Sequence, residues 1–474
     1  MSAARHAIDF AARAMAGTIL ESGARGPSFA GAAADSRAVE AEQLFFALPG
    51  ERVDGFDFVS QAVASGAAGV VVARARGVPV GRANAAVIAV DDPRRALGDL
   101  ARALRAEFRG RVVAVTGSNG KTTTKELVAA ALRPLGNVLR TPGNFNTDVG
   151  LPLTILSATG AEAAWVLEMA MRAPGEIAYL AEIARPEIGI ITNVAAAHLE
   201  TLGSIEGVAR AKGELFAGLG PQGTAVFPAD EPLIAAQASP VAQERRLTFG
   251  GPRGDVRILD FVPAGAGGSV VRYAVCGTPV VVRLPLGGAH NARNGAAALA
   301  AAVAAGVSAV DAAGGLETVT LPPHRSAPVA AGGRTILDDC YNANPASMNA
   351  ALGALAAASG EGRRFAILGD MLELGPGAEA AHRELGRAAG GRAGLAGLAA
   401  VGQFAPIVVG EARTAGLTAE RAVVASSPEA AAAVLASWTS AGDWILVKAS
   451  RGLRLERAVE ALRVALGPTT ERGI

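Results

Sequence analysis

"VVAVTGSNGKTTTKEL", residues 112–127, decides how the chain is read. A short apolar run ends in a glycine-bearing loop, and a helix-forming stretch follows at once. That order places the backbone amides of Gly117, Ser118, Asn119, Gly120 and Lys121 where they can face phosphate oxygens, backed by the partial positive charge of a helix N-terminus. Lys121 would neutralise the terminal phosphates; Thr122, with Thr123 beside it, would supply the hydroxyl that ligates a metal. The general phosphate-loop pattern wants glycine where this chain has Val115, so the match is partial. The ordinary alternative is a glycine-rich turn capped by threonines.

Outward from that loop the pattern repeats. "VVAVTG", "AWVLEMA" and "IGIITNV" are short apolar runs, each followed by polar loop residues and a helical stretch, which is the signature of a parallel sheet. At 474 residues the chain is too long for one ordinary core, and about three domains are expected. The reading is α/β throughout. Residues 1–108 form a small α/β domain, with "QLFFAL" and "GVVVA" as strands and "DFVSQAVASGA" as a helix. Residues 109–322 form the phosphate-loop domain, a parallel sheet with a side β-sheet from "VRILDFV", "SVVRYAV" and "TPVVVRLPL". Residues 323–474, after the proline-marked "LPPHRSAPV", form a second doubly wound, Rossmann-like sheet.

Composition excludes more than it names. Lys plus Arg, 44, nearly cancel Asp plus Glu, 43, so no global field draws the chain to nucleic acid or anionic membrane. Cys276 and Cys340 form no CxxC pair, which argues against a disulfide framework and suits a reducing cytoplasm. "MSAARHAIDFAARAMAG" lacks an unbroken apolar core and does not read as a signal peptide. Residues 295–307, mostly alanine, are too few to span a bilayer and read as a buried helix. A soluble, cytoplasmic protein is expected.

Further residues are placed for chemistry. Glu168 interrupts an apolar run, where a carboxylate is costly unless it meets a cation or a metal. His198 lies just past another strand. In an open parallel sheet the carboxyl ends share one crevice, so Thr122, Glu168 and His198 can converge on one nucleotide-bound metal. The alternatives are an arginine partner for Glu168 and a capping or packing role for His198. Lys212, in "ARAKGELF", reads by itself as a solvated lysine. Asn291 and Asn294 stand at a helix start, where asparagine is commonly a cap. In "TILDDCYNANP" two aspartates and two asparagines follow a strand directly, a place to grip ribose or phosphate, or to form an Asx turn before Pro345.

Together, "TGSNGKTTTKE", "NFNTDVGLPLT", "RAPGEIAYLAEIARPEIGIITNVAAAHLE", "AKGELF", "DDCYNANPASM", "LGDMLELG" and "VKASRGLRLE" resemble the Mur ligases. The likeness begins at "ADSRAVEAEQLFFALPGERVDGFDF" and covers essentially all three domains. "YNANP" with "GDMLELG" is most similar to the branch that joins D-alanyl-D-alanine to UDP-N-acetylmuramoyl-tripeptide, making ATP, with Mg²⁺, the implied cofactor. The resemblance implies that the N-terminal domain holds the UDP end, with Ser36 and Arg37 nearby. It puts Lys121 on the phosphates, Thr122 and Glu168 on one magnesium, and His198 at a second. Lys212 aligns with a lysine that family members carbamylate into a metal ligand. Asn294 is implied against adenine, with Arg325 and Asp339 reaching ATP from the C-terminal domain as it closes. Asn144, Asn146 and Thr147 would face the muramoyl peptide, and Tyr341, Asn342 and Asn344 would receive D-alanyl-D-alanine. A monomer is expected.

Three departures touch fine contacts: Thr147 where a second asparagine is frequent, His324 where glycine is common before Arg325, and "VKASRG" for "VKGSRG". None removes a group needed for phosphoryl transfer. The rivals are another Mur ligase, a folylpolyglutamate synthetase-like ligase, or a catalytically silent ATP-binding protein. Absence of a "DNPR"-type motif lowers the diaminopimelate-adding relatives, and retention of Lys121, Thr122, Glu168, His198 and Lys212 lowers the silent one.

Overall fold

Valine and isoleucine at alternate and adjacent positions suit strands buried on both faces, and such runs form the middle of the molecule's largest sheet. The computed structural model describes residues 3–23, 25–50, 53–78, 84–195, 199–264, 268–358, 360–391 and 393–468. In the central sheet the strand Arg111–Thr116 lies between Glu162–Glu168 on one side and Ile188–Ile191 on the other, parallel to both. Asn137–Arg140 continues the sheet beyond Glu162–Glu168, and Thr224–Pro228 and Arg246–Phe249 continue it beyond Ile188–Ile191, all parallel. Chain order therefore reverses direction at Arg111–Thr116. In a doubly wound sheet that reversal opens a crevice at the carboxyl ends of the strands, and the phosphate-loop sequence begins there.

The three strands expected as a side sheet of the central domain extend the edge of its main sheet. Val256–Ala264, Gly268–Val275 and Thr278–Leu284 form an antiparallel meander that joins Arg246–Phe249 through the single pair Phe249 and Val256. Their alternation of buried and exposed residues is that of a sheet with one covered face.

Two helices cover one face of the central sheet. Lys121–Ala131 follows the phosphate loop, and Ala289–Ala304 packs beside it with Ala296 to Ala302 fully buried. Alanine allows close approach there, which explains how so few aromatic residues suffice. On the other face, Pro93–Glu107, started by Asp92 capping the amides of Arg94 and Arg95, links two units. One apolar core runs from Phe46 and Ile88 through Leu97 and Leu100 to Leu151 and Leu167. Phe108 stacks on Trp165 at 4.0 Å between centroids.

The N-terminal sheet has the order Thr18–Glu21, Ala86–Val90, Gly69–Ala73, Leu44–Phe46, Ala32–Ala33, parallel apart from its first strand. The C-terminal sheet has six strands, Ala327–Ala331, Arg334–Asp338, Trp444–Lys448, Arg364–Gly369, Gly397–Val401 and Ala422–Ala425, antiparallel only at the first edge. Apolar clusters fill both of its faces. No helix among the described residues is long and apolar enough to cross a membrane.

Candidate active site

The phosphate loop is held from below by the neighbouring strand's exit. Thr192 Oγ1 and Asn193 Nδ2 both donate to the Asn119 carbonyl, at 2.6 and 2.9 Å. The amides of Ser118 and Asn119, expected to face phosphate, donate instead to Asn193 O and Oδ1 at 3.0 and 2.9 Å. The unpaired donors of the helix's first turn, from Lys121 onward, are the amides that remain for an anion. Two glycines permit this geometry. Gly117 has φ +149°, and a Cβ there would collide with the Thr192 hydroxyl; Gly120 has φ +77°, and its Cβ would lie 2.7 Å from Asn294 Oδ1. Asn294 thus abuts the last loop residue from the helix Ala289–Ala304. It is buried and donates to Asn291 Oδ1 at 3.2 Å, while Asn291 reaches back to Gly287 O.

Lys121 Nζ arches over the loop to Gly117 O at 2.8 Å and Ser118 O at 3.3 Å. Desolvation pushes its ammonium below the usual lysine range; Glu168 opposes the shift and Arg325 adds to it. Glu168 comes from the central sheet and Arg325 from the entry to the C-terminal domain, so both units bear on Lys121. Glu168, at the end of its strand and 2% exposed, accepts from Asn146 Nδ2 at 2.8 Å through Oε1, while among the described residues Oε2 has no hydrogen-bond partner. A buried carboxylate oxygen left bare is costly in protein alone and suits a cation.

Behind Glu168 stands Lys125, a residue that motif reading passed over. It is fully buried, donates to Thr141 O at 2.6 Å, and lies 3.1 Å from Glu126 and 3.9 Å from Glu168 Oε2. Arg140 closes the chain on Glu126 at 2.6 Å. Its position one turn after Lys121 was the available signal. Thr141 Oγ1 accepts the Glu168 amide at 2.9 Å, fixing the end of the strand.

Lys212 lies on the helix Ile205–Ala217, capped by Ser204, and is 3% exposed, not the solvated lysine of the ordinary alternative. Burial, with the like charge of Lys121 added, drives its amine well below the normal range. Among the described residues it has no ion-pair partner. His198 lies outside the described residues.

The C-terminal sheet faces this crevice through "DDCYNANP". Asn344 caps the helix Pro345–Ala356 by accepting from Ser347 N at 2.9 Å, and its Nδ2 donates to Asn119 Oδ1 at 2.6 Å. One side chain therefore both starts a helix and meets the phosphate loop. Arg325 lies 3.7 Å over the Tyr341 ring. Asp339 is held by Lys448 at 2.6 Å and by Ser326 N at 3.0 Å, and Lys448 also donates to Asn342 O at 2.9 Å. Asn342, Asn144 and Thr147 are exposed, whereas Asn146 has its amide on Glu168. Ser36 and Arg37 lie in the N-terminal unit: Ser36 donates to Gln61, and Arg37 pairs with Asp35, lowering that carboxyl to about 2.

Three family models match the chain: the Mur ligase family catalytic domain at residues 29–105, the Mur ligase middle domain at 115–302, and the Mur ligase glutamate ligase domain at 324–451. A Bacillus subtilis protein named UDP-N-acetylmuramoyl-tripeptide--D-alanyl-D-alanine ligase is 38% identical, with 91% of this chain and 93% of that protein aligned. The Escherichia coli protein of the same name is 36% identical over 90% and 92%. A crystal structure of MurF from Acinetobacter baumannii superposes with TM-score 0.87 at 31% identity, covering 98% of this chain and 100% of that one. MurF from Thermotoga maritima in complex with ADP gives 0.79 at 32% identity, over 92% and 97%. With its three-part architecture and its phosphate-loop crevice, the chain belongs to the Mur ligase family, on the branch whose curated members are named UDP-N-acetylmuramoyl-tripeptide--D-alanyl-D-alanine ligases.

Proposed function

We propose that the chain joins D-alanyl-D-alanine to UDP-N-acetylmuramoyl-tripeptide at the expense of ATP, giving the UDP-linked pentapeptide of peptidoglycan synthesis. One observation carries the reading: a crevice that collects Lys121, Glu168 and Lys212 from three separate elements, in a chain so similar to relatives named for that reaction.

A carboxylate is inert toward an amine, because the amine takes up a proton and the leaving group would be oxide. ATP removes the obstacle. The tripeptide carboxylate oxygen attacks the γ-phosphorus, releasing ADP and forming an acyl phosphate. The dipeptide amine then attacks the acyl carbon, and the tetrahedral adduct expels phosphate as the amide forms. The chain supplies no covalent nucleophile, so charge placement and positioning carry the rate. Lys121 and the first-turn amides hold the transferring phosphoryl group, and Arg325 adds charge from the opposite domain. Asn294 is assigned to adenine and Asp339 to the nucleotide, the latter through a carboxylate already oriented by Lys448. Ser36 and Arg37 are assigned to the UDP end, Asn144 and Thr147 to the peptide, and Tyr341 and Asn342 to the dipeptide. Since the nucleotide groups come from two sheets, closure of one domain on the other belongs to the cycle.

Glu168 Oε2, without a hydrogen bond among the described residues, and the hydroxyl of Thr122 in the first turn after the phosphate loop are oxygen donors of the kind Mg²⁺ takes, and both are assigned to it. When bound, the ion neutralises phosphate charge. His198 is assigned to a second ion. Lys212, buried and with its charged form disfavoured by that burial, suits carbamylation, in which the free amine adds to CO₂, loses a proton and becomes a carboxylate-bearing side chain.

The test is phosphate release from Mg·ATP with each acceptor alone and with both, followed by mass spectrometry. Release that needs both substrates, with a pentapeptide product, is expected; release driven by some other amino acid would overturn the assignment of substrates.

A further inference from the structure

The linker that enters the C-terminal domain carries a cluster the ligase chemistry does not use. His324 Nδ1, the Asp338 carboxylate and Cys340 Sγ lie within 4.8 Å of one another. His324 Nδ1 is 2.8 Å from Asp338 Oδ2, Cys340 Sγ is 2.9 Å from Asp338 Oδ1, and sulfur and imidazole nitrogen are 3.6 Å apart. A tetrahedral ion with a metal–sulfur bond of about 2.3 Å and a metal–nitrogen bond of about 2.05 Å sets those two donors roughly 3.6 Å apart. Asp338 and Cys340 are buried, while His324 is partly exposed and leaves a path for entry.

Backbone geometry turns the histidine toward the other two at a cost. His324 has φ +67°, a conformation that favours glycine, and Ser326 nearby has φ +54°. Its carbonyl accepts the Tyr341 amide at 3.1 Å, which clamps the linker to the segment bearing Cys340. The donor set of imidazole, carboxylate and thiolate is one that Zn²⁺ takes, with a fourth position open to water.

We propose that His324, Asp338 and Cys340 bind one Zn²⁺-class divalent cation. On binding, the thiol proton leaves to solvent and the imidazole carries its remaining proton on Nε2. The hydrogen bonds that join Asp338 to the His324 ring and the Cys340 thiol give way to a metal–oxygen bond, while the Cys340 amide still faces Asp338 Oδ1. Burial, reinforced by Asp338, keeps the free thiol protonated, so the metal must displace that proton. Arg325 follows His324, and Asp339 lies between Asp338 and Cys340, so the ion would fix two residues assigned to ATP. That consequence rests on the ligase reading; the binding itself does not.

The test is a Co²⁺ titration of the full chain, without nucleotide and in a thiol-free reductant, followed by Zn²⁺ competition. One equivalent should bind with a thiolate-to-cobalt charge-transfer band that Zn²⁺ abolishes. Cys276→Ser should keep the band, Cys340→Ser should lose it, and His324→Gly, which suits the backbone at that position, should weaken binding at least about tenfold. Circular dichroism and thermal melts confirm that each variant is folded. No band in the parent chain, a band that persists in Cys340→Ser, or unchanged affinity in folded His324→Gly would overturn the proposal.

Discussion

Replacing Lys125 with methionine tests whether the buried charge chain behind the crevice holds Glu168 in place. The substitution roughly preserves volume and removes one cation from between Glu126 and Glu168, at 3.1 and 3.9 Å, together with its bond to Thr141 O. Breaking a buried pair by deleting one partner costs about 3–5 kcal/mol. Glu126 keeps Arg140 at 2.6 Å and Glu168 keeps Asn146 at 2.8 Å, so the lower end, about 3 kcal/mol, is expected. With an unfolding entropy of about 2.1 cal/mol/K per residue over a unit of about 200 residues, that loss lowers its midpoint by roughly 7 °C. Differential scanning calorimetry in nucleotide-free buffer reads the midpoint of the transition that includes this unit. Ligation assayed well below the transition should fall about tenfold or more, because the carboxylate end is no longer anchored. A Lys125→Met, Glu126→Gln double variant should recover part of the stability. A midpoint within about 2 °C of the parent would refute the reasoning, since it would put the deletion below about 1 kcal/mol.

Lys121→Ala should lower ligation by about 10³-fold or more with the melting profile unchanged; parent-like turnover would remove the phosphate-loop assignment. For Lys212 the folded amine titrates below the ordinary 10.5, so between those values the unfolded chain binds the extra proton and stability rises with pH. In CO₂-free buffer that slope approaches about 1.4 kcal/mol per pH unit, and Lys212→Met should abolish it in denaturant melts taken across the window. Activity lost in Lys212→Ala should return on adding short carboxylates, and full activity without them would exclude a carbamate role. Asn344→Ser keeps a capping oxygen but loses the amide that meets Asn119, so stability should stay within about 0.5 kcal/mol while ATP affinity falls. Equal affinity in the two proteins would show that this contact is idle.

How much was legible depends on whether a residue's role is local. The phosphate loop, its flanking strand and helix, and the carboxylate at the end of "AWVLE" declare themselves, because strand, turn and helix signals succeed one another within a few residues. The alternation along residues 256–284 signals antiparallel strands, but their attachment rests on one residue pair that no periodicity announces. Lys125 was missed because a lysine on an alanine-rich helix reads as solvated; only folding reveals that Thr141, Glu126 and Glu168 surround it. The amides of Ser118 and Asn119 belong to Asn193, a partner 74 residues on from Asn119. For Asn344 the local sequence offers a ligand grip or an Asx turn before Pro345; the helix cap and the contact with Asn119, 225 residues away in the chain, emerge only in the fold.

The measurement closest to the central claim follows one oxygen atom. Tripeptide substrate labelled with ¹⁸O in its terminal carboxylate is incubated with the chain, Mg·ATP and D-alanyl-D-alanine, and the released phosphate is examined by mass spectrometry. If phosphate held at the loop serves to activate a carboxylate, one labelled oxygen appears in each phosphate released and none when the dipeptide is ligated from unlabelled substrate. Pentapeptide formed with unlabelled phosphate would contradict the account, since the carboxylate oxygen would then never have been bonded to phosphorus.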